Sequence, residues 1–176
     1  PGGKMRYINE YTLGNSIINS YDIDNKRLQL SKKYLNKFNY PNINLYQGDL
    51  SICKIQSYDY GLIDVPCTGT GVLSKRVDLK WRKKLKDIKE MNIIQRSILD
   101  NVSKYINKGG ALVYSTCSIE KEENWELIDN FLNSNTNFKL DSADKFISSK
   151  FVDSNGCLSI IPSSEGLDGV FAARLI

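Results

Sequence analysis

The sequence predicts an α/β fold in which a mostly parallel sheet is flanked by helices and closed by a C-terminal antiparallel hairpin. Three observations predict it. Strand-like apolar runs alternate with helical periodicities along most of the 176 residues, the pattern of parallel strands joined by crossover helices. Three of the early runs end at an acid, namely Asp22, Asp49 and Asp64. Two late apolar runs, Leu158 to Ile161 and Val170 to Leu175, follow one another without a helical pattern between them. The length suits one domain, 1–176, large enough to bury a core without disulfide or metal staples.

In chain order, a Gly2-Gly3 turn opens a short helix from about Lys4 to Tyr11. A strand from Ser16 to Tyr21 ends at Asp22, and a helix follows with Leu28, Leu35 and Phe38 on its core face. Pro41-Asn42 breaks the chain before a strand at Ile43 to Gln47, and Tyr60 to Ile63 forms the next, running into Asp64-Val65-Pro66-Cys67. A basic loop leads to a helix from about Asp87 to Ile106. Its inner stripe is Ile88, Met91, Ile94 or Gln95, Ile98, Val102 and Tyr105, and Lys108-Gly109-Gly110 is read as its stop. Ala111 to Ser115 is a strand, Lys121 to Asn133 a helix, and the hairpin ends the chain.

Composition prunes the chemistry. There is no histidine, so imidazole bases, Ser-His-Asp hydrolysis and His-ligated zinc are excluded. Proton transfer falls to Asp, Glu, Lys, Tyr or Cys. The cysteines at 53, 67, 117 and 157 form no C-x-x-C pair, which predicts reduced thiols in an intracellular protein and no metal centre. No apolar run approaches the roughly 20 residues of a membrane span, and no signal-peptide pattern is present. A net charge of +4 permits a nucleic-acid partner without demanding one.

Ligands of open α/β sheets bind beyond the carboxyl ends of the strands. There the Gly2-Gly3 turn would admit a ligand close to backbone, and Asp22 follows at about the 20-residue offset of a ribose-binding acid. Asp49 could accept from an adenine amino group. A Gly-Gly turn alone is usually only a turn; three strand-end acids in series strengthen the reading. The phosphate-binding G-x-x-x-x-G-K-[ST] loop is absent, since Met5 follows Lys4. Cys67 and Cys117 also fall just after strands, whereas Cys53 and Cys157 lack such a setting and are assigned to packing.

Pro1-Gly2-Gly3-Lys4, Asp22-Ile23-Asp24 with Arg27, Gly48-Asp49, Asp64-Val65-Pro66-Cys67-Thr68-Gly69, Asp78-Leu79-Lys80-Trp81, Tyr114-Ser115-Thr116-Cys117-Ser118, Glu122-Glu123-Asn124 and Gly169-Val170-Phe171 resemble, in order, the motifs of the Sun (Nop2-like) RNA cytosine-5 methyltransferases. The resemblance covers essentially the whole chain, and its most specific element is the pair Pro-Cys and Thr-Cys-Ser. It implies a Rossmann-like class I S-adenosylmethionine-dependent methyltransferase fold. It also implies methylation of carbon 5 of a cytosine in RNA, ribosomal RNA before transfer RNA. Carbon 5 is a poor nucleophile until a thiolate adds at carbon 6. The resemblance gives that attack to Cys117, release of the adduct to Cys67, the proton at ring nitrogen 3 to Asp64, and orientation of the pocket to Lys4. It assigns S-adenosylmethionine to Pro1, Gly2, Gly3, Lys4, Asp22, Asp49 and Asp64, with Arg27 behind the acids. Lys75, Arg76 and Lys80 are expected on RNA phosphates, although such a basic cluster also suits a solvated face. A monomer is expected, in the cytoplasm, the nucleus or nucleolus, or an organelle.

Some positions depart from the family pattern. Val65 stands where Ala is usual, Lys121 where Pro is usual, and Arg76-Val77 where His-Pro is frequent. The family's first strand would precede Pro1, and without it the chain is expected to be poorly stable or weakly active. Two rival functions make different demands on these residues. A non-catalytic RNA-binding subunit would show a damaged thiol or acid set, and all five of Cys67, Cys117, Asp22, Asp49 and Asp64 are intact. A DNA cytosine-5 methyltransferase would use Cys67 of the Pro-Cys motif as nucleophile.

Overall fold

The computed structural model describes residues 2–75, 84–162 and 166–176, apart from the side chain of Leu85. The chain divides into two compact units, Pro1–Lys54 and Ile55–Ile176.

In the first unit, α1 (Gly3–Tyr11) leads to β1 (Ile18–Asp22), then α2 (Asn25–Phe38) and β2 (Ile43–Gln47). β1 and β2 pair in parallel, Asp22 standing opposite Gln47, so both strands deliver their ends to one edge. α2 starts where Asp24 caps it, the carboxylate accepting from the amides of Lys26 at 2.7 Å and Arg27 at 3.3 Å. It ends at Asn39, which takes the left-handed conformation at φ 51° before Pro41. Met5, Leu35 and Ile43 form the small core, with Ile18, Tyr40 and Leu45 against it. Phe38 departs from the expected inner stripe. It is 45% exposed, stacked on Tyr40 with Arg6 and Lys37 over its ring. Being the last helical residue, it has no further turn to press it inward.

The second unit holds β3 (Tyr58–Asp64), α3 (Leu85–Val102), β4 (Ile106–Thr116), α4 (Trp125–Ser134), β5 (Leu158–Ile160) and β6 (Val170–Leu175). Its sheet runs β3-β4-β6-β5. β3 and β4 are parallel, whereas β6 is antiparallel to both β4 and β5. The core gathers Leu99, Leu112, Tyr114, Leu127, Ile128, Phe131 and Leu175, all nearly inaccessible. Phe131 is fully buried against Phe138, with Arg96 over its ring. Phe131→Ala is expected to cost about 3–5 kcal/mol, read as a fall in the thermal unfolding midpoint of roughly 8 °C or more.

One expectation for this unit is corrected and one open alternative is resolved. Lys108-Gly109-Gly110 does not stop the helix. α3 ends at Val102, a 3-10 turn spans Ser103–Tyr105, and the three residues lie inside β4 as a bulge. Tyr58 pairs with Ile106, but Tyr60 with Ala111. Gly109 takes φ 83°, and a Cβ on Gly110 would sit 2.4 Å from the carbonyl of Asp59, so glycine here serves a strand. On α3 the inner position is Gln95, fully buried, while Ile94 is 40% exposed. Among the described residues no helix is long and apolar enough to cross a membrane.

Candidate active site

In the first unit the predicted cofactor residues cluster by element. Gly2 precedes α1 in the left-handed region at φ 88°, and a Cβ there would meet Met5 at 2.6 Å; at Gly3 a Cβ would meet nothing within 4 Å. Gly3 therefore faces open space, while Gly2 is required by its left-handed backbone and its close approach to Met5. The Gly48 amide donates to the Asp22 carbonyl at 3.1 Å, which sets the β2 exit beside that of β1. The Asp22 carboxylate accepts from the Asp24 amide at 2.9 Å and faces Arg27 at 3.8 Å. With about four lone-pair sites it keeps acceptor capacity for a pair of hydroxyls. Asp49 accepts from the hydroxyl and amide of Ser51, at 2.7 and 2.9 Å, and these bonds hold its carboxyl below the ordinary range. Lys4 lies in the first turn of α1. Pro1 lies outside the described residues.

The second unit brings together Asp64, Cys67 and Cys117. Asp64 ends β3 opposite Ser115 of β4. The Ser115 hydroxyl is shared between the carbonyl of Ile63 at 3.2 Å and the Asp64 carboxylate at 3.3 Å. Beyond these strand ends the thiols of Cys67 and Cys117 meet at 3.2 Å. Two thiols at this distance cannot both ionise. The hydrogen bond between them favours a single thiolate accepting from the neighbouring thiol. With Cys67 as donor, the Cys117 thiol is pulled down to about 7 despite burial and the nearby Asp64 charge, while Cys67 is driven up.

The loops carrying the thiols are tied to one another. Val65 N donates to Ser115 O at 3.1 Å, and Gly71 N to Cys117 O at 2.9 Å. The site also contains a residue to which the sequence reading gave no role. Glu123 is fully buried, and its carboxylate accepts from the Thr68 amide at 2.9 Å, the Thr68 hydroxyl, the Ser118 hydroxyl at 2.5 Å and Gln95 Nε2 at 2.8 Å. The available signal was Gln95 itself, a polar side chain on an apolar stripe. Asn124 joins the same network, accepting from Thr116 Oγ1 at 2.6 Å and donating to Ser118 O at 2.9 Å.

Of the residues expected on RNA, Lys75 pairs with Asp168 at 2.5 Å; Arg76 and Lys80 lie outside the described residues. Cys157 is fully buried and its thiol is pushed up to about 12, as a packing role requires. Cys53 is half-buried, its sulfur 3.1 Å from where a Cβ on Gly48 would stand.

Parallel strands with acids at their carboxyl ends, closed by an antiparallel hairpin, define a class I S-adenosylmethionine-dependent methyltransferase fold. The sequence profile of the 16S rRNA methyltransferase RsmB/F family matches residues 1–176, and the chain belongs to that family. It is 35% identical over 181 residues to ribosomal RNA small subunit methyltransferase B of Photorhabdus laumondii, covering 99% of this chain and 40% of that protein. It is 33% identical over 183 residues to the probable ribosomal RNA small subunit methyltransferase B of Bacillus subtilis, covering 99% and 41%. The chain thus spans about two fifths of the length of these curated relatives. Among solved structures, NSun6 from Pyrococcus horikoshii with SFG, an analogue of S-adenosylmethionine, superposes with a TM-score of 0.85 at 28% identity, covering 99% of this chain and 45% of that one. A methyltransferase homolog protein from the same organism gives 0.80 at 27%, covering 99% and 58%. Methyltransferases of this family depend on S-adenosylmethionine.

Proposed function

We propose that this chain is the catalytic domain of an enzyme that methylates carbon 5 of a cytosine in small-subunit ribosomal RNA through a covalent cysteine adduct. The observation that carries the reading is the thiol pair, Cys67 and Cys117 at 3.2 Å, beyond the strand end that bears Asp64. The match of the family profile across residues 1–176 supports treating both units as one domain, and the bacterial origin of the relatives favours the cytoplasm.

The residues of the first unit fit the cofactor. Gly2 makes the tight turn into α1 and Gly3 leaves open backbone, Asp22 offers acceptors for the ribose hydroxyls with Arg27 behind it, and Asp49 stays ionised as an acceptor for an adenine amino group. Bound there, S-adenosylmethionine supplies the methyl group as an electrophile on its sulfonium.

The chain's own residues prepare the base. Cys117, ionised with Cys67 as its hydrogen-bond donor, adds to carbon 6 of the ring, and the electron pair of the 5,6 double bond moves toward carbon 5 and ring nitrogen 3. The Asp64 carboxyl, carrying a proton, donates to that nitrogen as negative charge grows on the ring. After methylation a base removes the carbon 5 proton, carbon 5 and carbon 6 become doubly bonded again, and Cys117 leaves as thiolate. Cys67, within hydrogen-bond reach of the departing sulfur, assists that step. The alternative nucleophile is Cys67, and paired substitution of the two thiols decides between them.

The test uses the intact protein with S-adenosylmethionine and small-subunit ribosomal RNA. Cys67→Ala is expected to accumulate a denaturation-resistant protein–RNA adduct, and Cys117→Ala to form neither adduct nor 5-methylcytosine. The reverse pattern would sink the assignment. Methylation of transfer RNA alone would change the substrate but keep the chemistry.

A further inference from the structure

Among the described residues Glu123 is the most deeply buried acid in the second unit, with no exposed surface, and the reaction steps proposed for Cys117, Cys67 and Asp64 give it no task. Among the described residues no lysine or arginine forms an ion pair with it. Its hydrogen-bond donors are all neutral: one backbone amide, two hydroxyls and one carboxamide. Burying a carboxylate without a cation is costly unless most of its lone pairs are satisfied. Four charge-assisted hydrogen bonds meet that condition.

The positions of the donors give the arrangement its meaning. Thr68 directly follows Cys67, and Ser118 directly follows Cys117. Gln95 extends the tie to the body of the fold, since its Nε2 also donates to the carbonyl of Pro66, the residue before Cys67, at 2.8 Å. Glu123 itself is fastened through its own carbonyl, which accepts from the buried hydroxyl of Tyr114 at 2.7 Å. The carboxylate therefore ties both cysteine loops to a helix, and the backbone of Glu123 anchors it to a central strand.

We propose that Glu123 is a positioning residue for methyl transfer, its carboxylate clamping the residues next to Cys67 and Cys117 and so setting the spacing of the two thiols. The inference rests on the reading of Cys117 as nucleophile. Two effects of the carboxylate can be separated by sign. Its charge opposes ionisation of Cys117, so it does not activate the thiol electrostatically. Its geometry keeps Cys67 where it can donate to Cys117, which favours ionisation. Geometry is the contribution that serves the reaction, and a neutral side chain of the same shape should supply it. In glutamine, Oε1 still accepts from the Thr68 amide and Gln95, and Nε2 can donate to the two hydroxyls, which rotate to accept. In aspartate the carboxylate is retracted by about 1.5 Å and cannot reach both loops.

The experiment compares the intact wild-type protein with Glu123→Gln and Glu123→Asp. It reads kcat, the KM values for S-adenosylmethionine and RNA, and the pH midpoint of Cys117 alkylation by iodoacetamide. Glu123→Asp is expected to lower kcat about a hundredfold, with both KM values changed less than about threefold. Its alkylation midpoint should rise toward the roughly 8.5 of a free thiol. Glu123→Gln is expected to stay within about tenfold of the wild-type kcat, with a midpoint at or below that of the wild type. Wild-type kcat and midpoint in Glu123→Asp would overturn the inference, as would a Glu123→Gln protein as impaired as Glu123→Asp. If Glu123→Asp does not fold, Thr68→Val removes one hydroxyl from the clamp and is expected to shift the midpoint the same way; an unchanged midpoint there overturns the inference too. Failure of the wild type to methylate cytosine would instead overturn the proposed function, because the alkylation midpoints are measured without RNA.

Discussion

Cys117→Ala is expected to reduce methyl transfer by about four orders of magnitude or more, the scale seen when a covalent nucleophile is removed. Cys117 is half-buried, so the substitution removes one sulfur from a partly open site and folding should survive it. Single-turnover transfer of labelled methyl to RNA measures the loss, and a residual rate within tenfold of wild type would rule out Cys117 as nucleophile. The same thiol predicts a pH profile. Its folded pKa is lowered to about 7, so the reactive thiolate is gained as pH rises through 7 and saturates above it. Alkylation of Cys117 in the free protein should follow that curve. In Cys67→Ala the donor that lowers the pKa is gone, and the midpoint should move up toward about 8.5. An unmoved midpoint would mean that Cys67 does not act through this contact.

Much of this site was legible in the sequence because its chemistry sits at strand ends. Apolar runs closing on Asp22, Asp64 and Cys117 announce both a strand and what it presents, and β1, β3 and β4 deliver those residues as expected. The expectations that failed concern what polar and flexible residues do inside regular structure. Lys108-Gly109-Gly110 has the composition of a helix stop, and only pairing with Tyr58 and Tyr60 of β3 turns it into a bulge; local composition carries no information about that partner. Phe38 fits the helical period but stands at the helix end, where tertiary contacts decide burial. Glu123 stands in the Glu122-Glu123-Asn124 motif, but the sequence carries no sign of its role for a related reason. A pair of glutamates after a loop reads as a solvated helix start, and its burial becomes plain only when Thr68, Ser118 and Gln95 converge on it from distant parts of the chain.

The second large effect is expected at Gly71, where the three atoms nearest the missing side chain are all backbone. A Cβ there would lie 2.7 Å from the carbonyl oxygen of Cys117 and 2.8 Å from both Cα and O of Gly169. Gly169 has the same constraint from the other side, its own Cβ falling 2.6 Å from Gly71 Cα. The approach is used: Gly71 N donates to Cys117 O at 2.9 Å, and Gly169 N to Gly71 O at 2.7 Å. No rotamer change can relieve a methyl placed among these atoms, so Gly71→Ala must push the Cys117 loop away from the turn that follows Cys67. Overpacking of this kind costs about 1–3 kcal/mol, which should show in thermal unfolding. The functional cost should be larger than the stability loss suggests, because a displacement of about 1 Å at a reacting group can cost about a hundredfold in rate. We therefore expect kcat to fall about a hundredfold at temperatures where the variant is fully folded, with the Cys117 alkylation midpoint raised as the two thiols separate. A Gly71→Ala protein that loses stability but keeps its rate and midpoint would show that the thiol pair is held by the Glu123 clamp alone.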